Sequence, residues 1–238
     1  MTLVLVELEK LRTVRSIWLL FAAGALLPLP IAIVALAQVS DPATTTQDMV
    51  NLAAVPALVA GALAAVACAR EFEHRTITVA FMLEPRRERV IVAKALAAVI
   101  VGVAMSALCA ALTLGTTAIW ISADGGAWQW SGGETAKALC GLLVLSAVSA
   151  VAGTAFGAIT RHVGGAITAL IAVNFVIEGV LGVRFDVWRD YGLDAAGDAL
   201  LEPDPAHAYG FPAGAAVMIG VGLLYLALGI AAVRRADV

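Results

Sequence analysis

The chain has 238 residues, of which 61% are apolar and only 14% charged, and its formal net charge is −3. A mean hydropathy of +0.94 excludes a disordered chain and is far too high for an ordinary soluble domain. The net charge averages over separate segments, so its distribution carries the information.

Residues 1–15 are too polar to cross a bilayer. Val4, Leu8, Leu11 and Val14 recur at helical spacing, while Glu7, Glu9, Lys10 and Arg12 fall largely off that stripe. This predicts an amphipathic helix lying along a membrane face and running into the first apolar stretch. Six apolar stretches dominate the rest of the chain, at residues 16–38, 49–69, 90–121, 136–160, 163–181 and 212–233. A hydrocarbon core about 30 Å thick needs about 20 apolar residues per helix, and each stretch meets or approaches that length. Pro28 and Pro30 in the first span and Pro56 in the second are expected to kink or unwind their helices. Gly153 and Gly157 form a GxxxG in the fourth, suited to close helix packing within the bundle or to a dimer seam.

Residues 70–89 link the second and third spans. This segment is charged at both ends and apolar between, so Thr76 to Leu83 reads as a short helix ended by Pro85. A loop that served only to set topology would not need ITVAFML between its charges. A helix exposing Phe81 and Met82 suits a pocket on a partner. The longest remaining loop, from Gly182 to Phe211, holds Val183, Val187, Trp188 and Tyr191 at the spacing of one surface helix. Asp186, Asp190, Asp194 and Asp198 repeat every four residues, which reads as a solvated acidic face.

With the N-terminus inside the cell, six crossings return the C-terminus inside. Twelve of the fifteen Lys and Arg residues then lie inside and three, Lys137, Arg184 and Arg189, outside, which fits the positive-inside rule. Trp18 falls at an inner headgroup zone, and Trp120, Trp128, Trp130 and Trp188 at or near outer ones. Lys10, Arg12 and Arg15 before an apolar run ending Ala35-Leu36-Ala37 resemble a cleavable signal. That run is about 20 residues against the usual 7–15, so it is expected to stay as a span.

Cys68, Cys109 and Cys140 all fall in spans without CxxC spacing, and read as small packing residues. His74, His162 and His207 are scattered over different loops, so no metal site is expected. No G-x-x-x-x-G-K-[ST] loop occurs, so nucleotide binding by that route is not expected. Glu178 stands out inside a span, with Asn174 one turn before it and a depth of about 22 Å from Val163 at 1.5 Å per residue. An intramembrane acid is a candidate for the translocation path; the alternative is a side chain that reaches the headgroups or pairs with Arg184.

The opening Glu7, Lys10, Thr13, Ser16 and Trp18, the second segment Glu71, Phe72, Arg75, Thr76, Ile77, Pro85, Arg86, Arg87, Ala93 and Lys94, and the closing Arg234 to Val238 resemble bacterial ABC-2 type transporter permeases. The resemblance runs over essentially the whole chain. The chain departs from it at His74-Arg75, where many relatives have a basic residue followed by Gly.

The resemblance implies an all-α integral membrane fold: six transmembrane helices, an N-terminal interface helix and a short cytoplasmic coupling helix. It implies a single permease domain over residues 1–238, in the bacterial inner membrane. No cofactor is expected on this chain, since ATP and Mg would sit on a separate ABC ATPase present in two copies. A second permease, the lipid bilayer and no nucleic acid complete the expected partners. Glu71, Phe72, Arg75, Thr76, Ile77, Phe81 and Pro85 are carried over as ATPase-coupling residues. Helices capping the path are expected between the last two spans. The expected function is ATP-driven export of a hydrophobic or amphiphilic substrate such as a drug, lipid or lipopeptide. Two alternatives are an ATP-independent carrier or channel and a membrane anchor that transports nothing. No catalytic constellation suggests an enzyme.

Overall fold

A computed structural model describes residues 2–36, 50–52, 54–123, 131–202 and 209–235. The expected ends of the first two spans at Gln38 and Met49, with Trp128, Trp130 and His207, lie outside these residues. Among the described residues the secondary structure is helical throughout, and six helices are long and apolar enough to cross a membrane. The chain is thus an all-α, multi-pass membrane protein.

Helix α1 (Thr2–Thr13) precedes the first crossing, α2 (Arg15–Leu26) and α3 (Pro28–Leu36). The break falls at Leu27, directly before Pro28: Leu27 keeps helical geometry and donates to Ala23 O at 2.9 Å, but Pro28 has no N–H with which to continue the ladder. The second crossing reaches α4 (Val55–Glu73), with Pro56 in its first turn. The candidate span begins at Val50 and is interrupted by a turn at Ala54, so Pro56 sits in the first turn after that interruption, where its missing N–H costs nothing. Helix α5 (Ile77–Leu83) connects to α6 (Arg87–Ala123), whose 37 residues extend about 55 Å, well beyond a hydrocarbon core.

Helix α7 (Gly132–Thr160) begins earlier than its apolar run. The Ser131 hydroxyl accepts from the Glu134 N–H at 3.3 Å, and Glu134 Oε2 accepts from the Ser131 N–H at 2.7 Å. This capping box starts the helix through a polar first turn. Helix α8 (Val163–Ile171) passes into a π segment (Ala172–Ile177) and then α9 (Glu178–Arg184). The loop expected to carry one surface helix carries two, α10 (Asp186–Tyr191) and α11 (Leu193–Leu201). The acidic repeat is therefore split between two helices. Helix α12 (Phe211–Arg234) closes the bundle.

Helix α7 is the spine. A Cβ at Gly153 would land on the Gly61 carbonyl of α4, and one at Gly157 would crowd Cys68. The GxxxG is thus consumed by packing within the chain. Gly222 and Gly229 of α12 lie against Val148 and Ala155 on another side of α7. At the end carrying α5, the carbonyls closing α12 are met by basic groups: Arg87 donates to Val233 O at 3.4 Å and Arg161 to Ala232 O at 3.4 Å. Cations at a helix C-terminus are favoured by its partial negative charge. At the far end, α11 is buried through Ala196, Ala199 and Leu200, with Leu201 packed near Leu142 of α7.

Candidate functional site

The segment between α4 and α6 forms a compact knuckle. Arg75 has φ 58°, in the left-handed region that favours glycine. Thr76 starts α5, and its hydroxyl donates to Glu71 O at 3.3 Å. Ile77 is buried at 1% exposure. Phe81 is half-buried and, with Phe72, packs on Cys68, Ile91, Ala158 and Val233. The Arg87 guanidinium lies 5.4 Å from the Phe81 ring centre, and that of Arg161 5.8 Å from Phe72. Pro85 follows Glu84, whose extended backbone ends the helix. The side chains that face outward are Val79, Met82 at 80% and Leu83 at 83% exposure. Met82 is exposed as expected, whereas Phe81 is turned inward. The contact that holds α5 in place uses one face, and the other face is left free.

Glu71 does not lie on that free face. Its Oε1 accepts from Lys94 Nζ at 2.5 Å and from Lys10 Nζ at 3.5 Å. Glu7 completes the group: Oε2 meets Lys94 at 2.7 Å and Oε1 meets Lys10 at 2.7 Å. The Lys94 side chain is 4% exposed and that of Glu7 9%. Two lysines and two carboxylates thus form a charge-balanced joint between α1, α4 and α6, with Lys94 and Glu7 buried and Lys10, at 40% side-chain exposure, at its outer edge. The joint borders a cavity of about 210 Å³. Beside it, Arg70 donates to the Ser16 hydroxyl at 2.8 Å, tying α4 to α2.

In the sequence Glu7 reads as lying largely off the apolar stripe, and Lys94 as an inside charge and one residue of the family pattern, with no contact between them. The signal was present: Glu7 lies three residues after Val4 and four before Leu11, so it shares their inward face. Its partner lies 87 residues away, beyond the reach of any local periodicity.

Asn174 and Glu178 lie at the far end. The Asn174 amide donates to Leu170 O at 2.8 Å, inside the π turn. Such a turn adds a residue per turn and shifts everything beyond it around the helix axis. Glu178 is buried at 4% exposure and does not pair with Arg184, whose guanidinium lies 5.6 Å from the Phe185 ring. Its Oε2 accepts from the Trp188 indole N–H at 2.9 Å and from the Leu193 backbone N–H at 3.1 Å. Glu178 therefore pins α10 and α11 over the end of the fifth span. Asn174 and Glu178 border one cavity of about 390 Å³, together with Asp194, Asp198 and Tyr225. Burial, then the charges of Glu178 and Asp198, push the Asp194 carboxyl above its ordinary value of 3.8. Among the described residues, no group of His, Cys, Asp and Glu is arranged to hold a metal ion.

The family model described as "ABC-2 family transporter protein" matches residues 3–178. That stretch runs from α1 through α5 to Glu178. No curated protein matches the chain. An interface helix leading into six apolar spans, with a short helix between the second and third, thus carries the family's sequence pattern over most of its length, and the chain belongs to the ABC-2 family of transporter proteins.

Proposed function

We propose that this chain is the transmembrane subunit of an ATP-driven exporter. It sits in the bacterial inner membrane with both termini cytoplasmic, and pairs with a second copy of itself. Two copies of a separate ABC ATPase bind ATP and Mg, and their closure pushes on α5. The observation that carries this reading is the two-sided character of α5. Ile77 and Phe81 bolt it to the bundle, while Val79, Met82 and Leu83 stay exposed. An exposed apolar tip on a rigid seat suits a pocket on a partner protein.

The coupling role thus divides among the residues of the segment. Phe72, Ile77 and Phe81 seat the helix, Arg75 and Thr76 form its entry, and Pro85 ends it. Glu71 passes its displacement through Lys94 and Glu7 to α1. A push on α5 then moves the starts of α1 and α6 and the end of α4 together. The bundle switches between arrangements that open the path at opposite ends. Asn174 and Glu178 border that path, and the apolar spans favour a hydrophobic or amphiphilic cargo, such as a drug, lipid or lipopeptide.

The test is affinity purification of the tagged chain from membranes. A P-loop ATPase is expected to copurify with the wild type and to be lost from Val79→Asp/Met82→Asp/Leu83→Asp. Undiminished copurification with that variant, at unchanged chain stability, overturns the reading of α5.

A further inference from the structure

The buried carboxylate at the far end has, among the described residues, hydrogen-bond donors but no countercharge. Among the described residues, no lysine or arginine forms an ion pair with Glu178, although it is 4% exposed. Both of its donors, Trp188 and Leu193, meet Oε2. Oε1 receives no donor from any described residue, and Glu178 lines the 390 Å³ cavity. Burying an uncompensated carboxylate is costly, and a cation placed beside it removes much of that cost.

The remaining walls define what kind of cation fits. Asp194 and Asp198 add negative charge at one side. Burial first, then the nearby charges of Glu178 and Asp198, hold the Asp194 carboxyl above its ordinary value. Tyr225 brings an aromatic ring, and Val148 and Met218 bring apolar surface. A volume of 390 Å³ lies in the range of small-molecule sites, roughly 300–1,000 Å³. The carboxylates are not grouped to ligate a metal. Aromatic and apolar walls around acidic groups match an organic cation with an apolar body, held by charge and by ring contact.

We infer that this cavity, bounded by Glu178, Asp194, Asp198 and Tyr225, is a binding site for cationic amphiphiles, molecules that join an ammonium-like group to an apolar body. The inference rests on the permease reading only in calling the occupant cargo; binding itself needs no ATPase.

The test uses the purified full chain in nonionic micelles. Tetraphenylphosphonium is the probe, and tetraphenylborate is its anionic near-isostere. Saturable phosphonium binding is expected, with no competition from the borate. Glu178→Gln keeps an acceptor for Trp188 and Leu193 but removes the charge, and is expected to weaken binding roughly tenfold or more. Asp194→Asn, at an exposed position, is expected to weaken it by a smaller factor. If Glu178→Gln fails to fold, Asp194→Asn decides the matter alone.

Equal binding of the borate, or phosphonium affinity unchanged in the folded variants, overturns the inference. Adding a short-chain phosphatidylethanolamine separates two sources of the same chemistry. Competition supports a site that also takes lipid ammonium groups, and lack of competition supports one confined to free amphiphiles. A chain that binds phosphonium but never copurifies with an ATPase keeps this site and loses the permease reading. An ATPase-bound chain without phosphonium binding does the reverse.

Discussion

The two ends of the bundle treat buried charge in opposite ways. At the end carrying α5, Lys10, Lys94, Glu7 and Glu71 balance one another within 3.5 Å. At the far end, Glu178 is as buried as Lys94 and Glu7, and among the described residues its donors are neutral. A balanced interior group resists separation, because pulling away one member strands its partner in low dielectric. It therefore behaves as a joint. An unbalanced group is held in place by the structure around it while its charge stays available. The first arrangement suits transmission of force, and the second suits recognition.

Substitutions at matched burial separate these roles. Lys94→Ala leaves two carboxylates without their central cation, and is expected to destabilise the chain by about 3–5 kcal/mol. Glu178→Gln preserves the acceptor, and is expected to change stability by less than about 1 kcal/mol. Reversible unfolding in mixed micelles checks both; equal losses would erase the distinction between the ends. Gly153→Ala tests the spine that joins them. Its new Cβ meets the Gly61 carbonyl, so a loss of about 1–3 kcal/mol is expected in the same assay.

Arg75→Gly relieves a left-handed non-glycine residue, and is expected to raise stability by about 1 kcal/mol. An unchanged or lowered melting temperature would contradict that.

The smallest effect concerns pH at the far end. The folded-state pKa of Asp194 lies above its ordinary value of 3.8. The folded chain therefore binds this proton more tightly than the unfolded chain, and stability falls as pH rises from 3.8 through the raised value. Asp194→Asn removes that fall. The variant is expected to melt slightly higher than wild type near neutral pH, with the difference shrinking as pH drops toward 3.8. A constant difference across that range would show that Asp194 is not the group responsible.

The spans were legible because a bilayer demands length and apolarity, which are local properties of the chain. The knuckle was legible for the same reason: ITVAFML between charges is too apolar for a plain loop. Which of its side chains face outward was not legible. Phe81 and Met82 are neighbours in sequence, and only the position of Cys68, Ile91 and Val233 turns Phe81 inward. The Glu7–Lys94 contact was half legible, since Glu7 sits on the apolar stripe but its partner depends on how α1 meets α6. Glu178 was conspicuous as a lone acid. Its surroundings were hidden because the π segment re-aims the helix and α10 and α11 fold back over it. The spacing of Val183, Val187, Trp188 and Tyr191 offered one surface helix there and the resemblance implied capping helices, but nothing local announced the π segment or the contacts of α10 and α11 with Glu178.

The central claim is that force enters at α5 and not at the opposite end. Met82 and Leu83 are 80% and 83% exposed, and Val183 near the far end is 93% exposed. Accessibility alone therefore cannot favour α5. A photocrosslinking residue placed singly at each of these three positions, in the full chain in native membranes, tests the claim most directly. Crosslinks to a P-loop ATPase from positions 82 and 83, and none from 183, are the expected result. ATPase crosslinks from 183, or from none of the three, would contradict it.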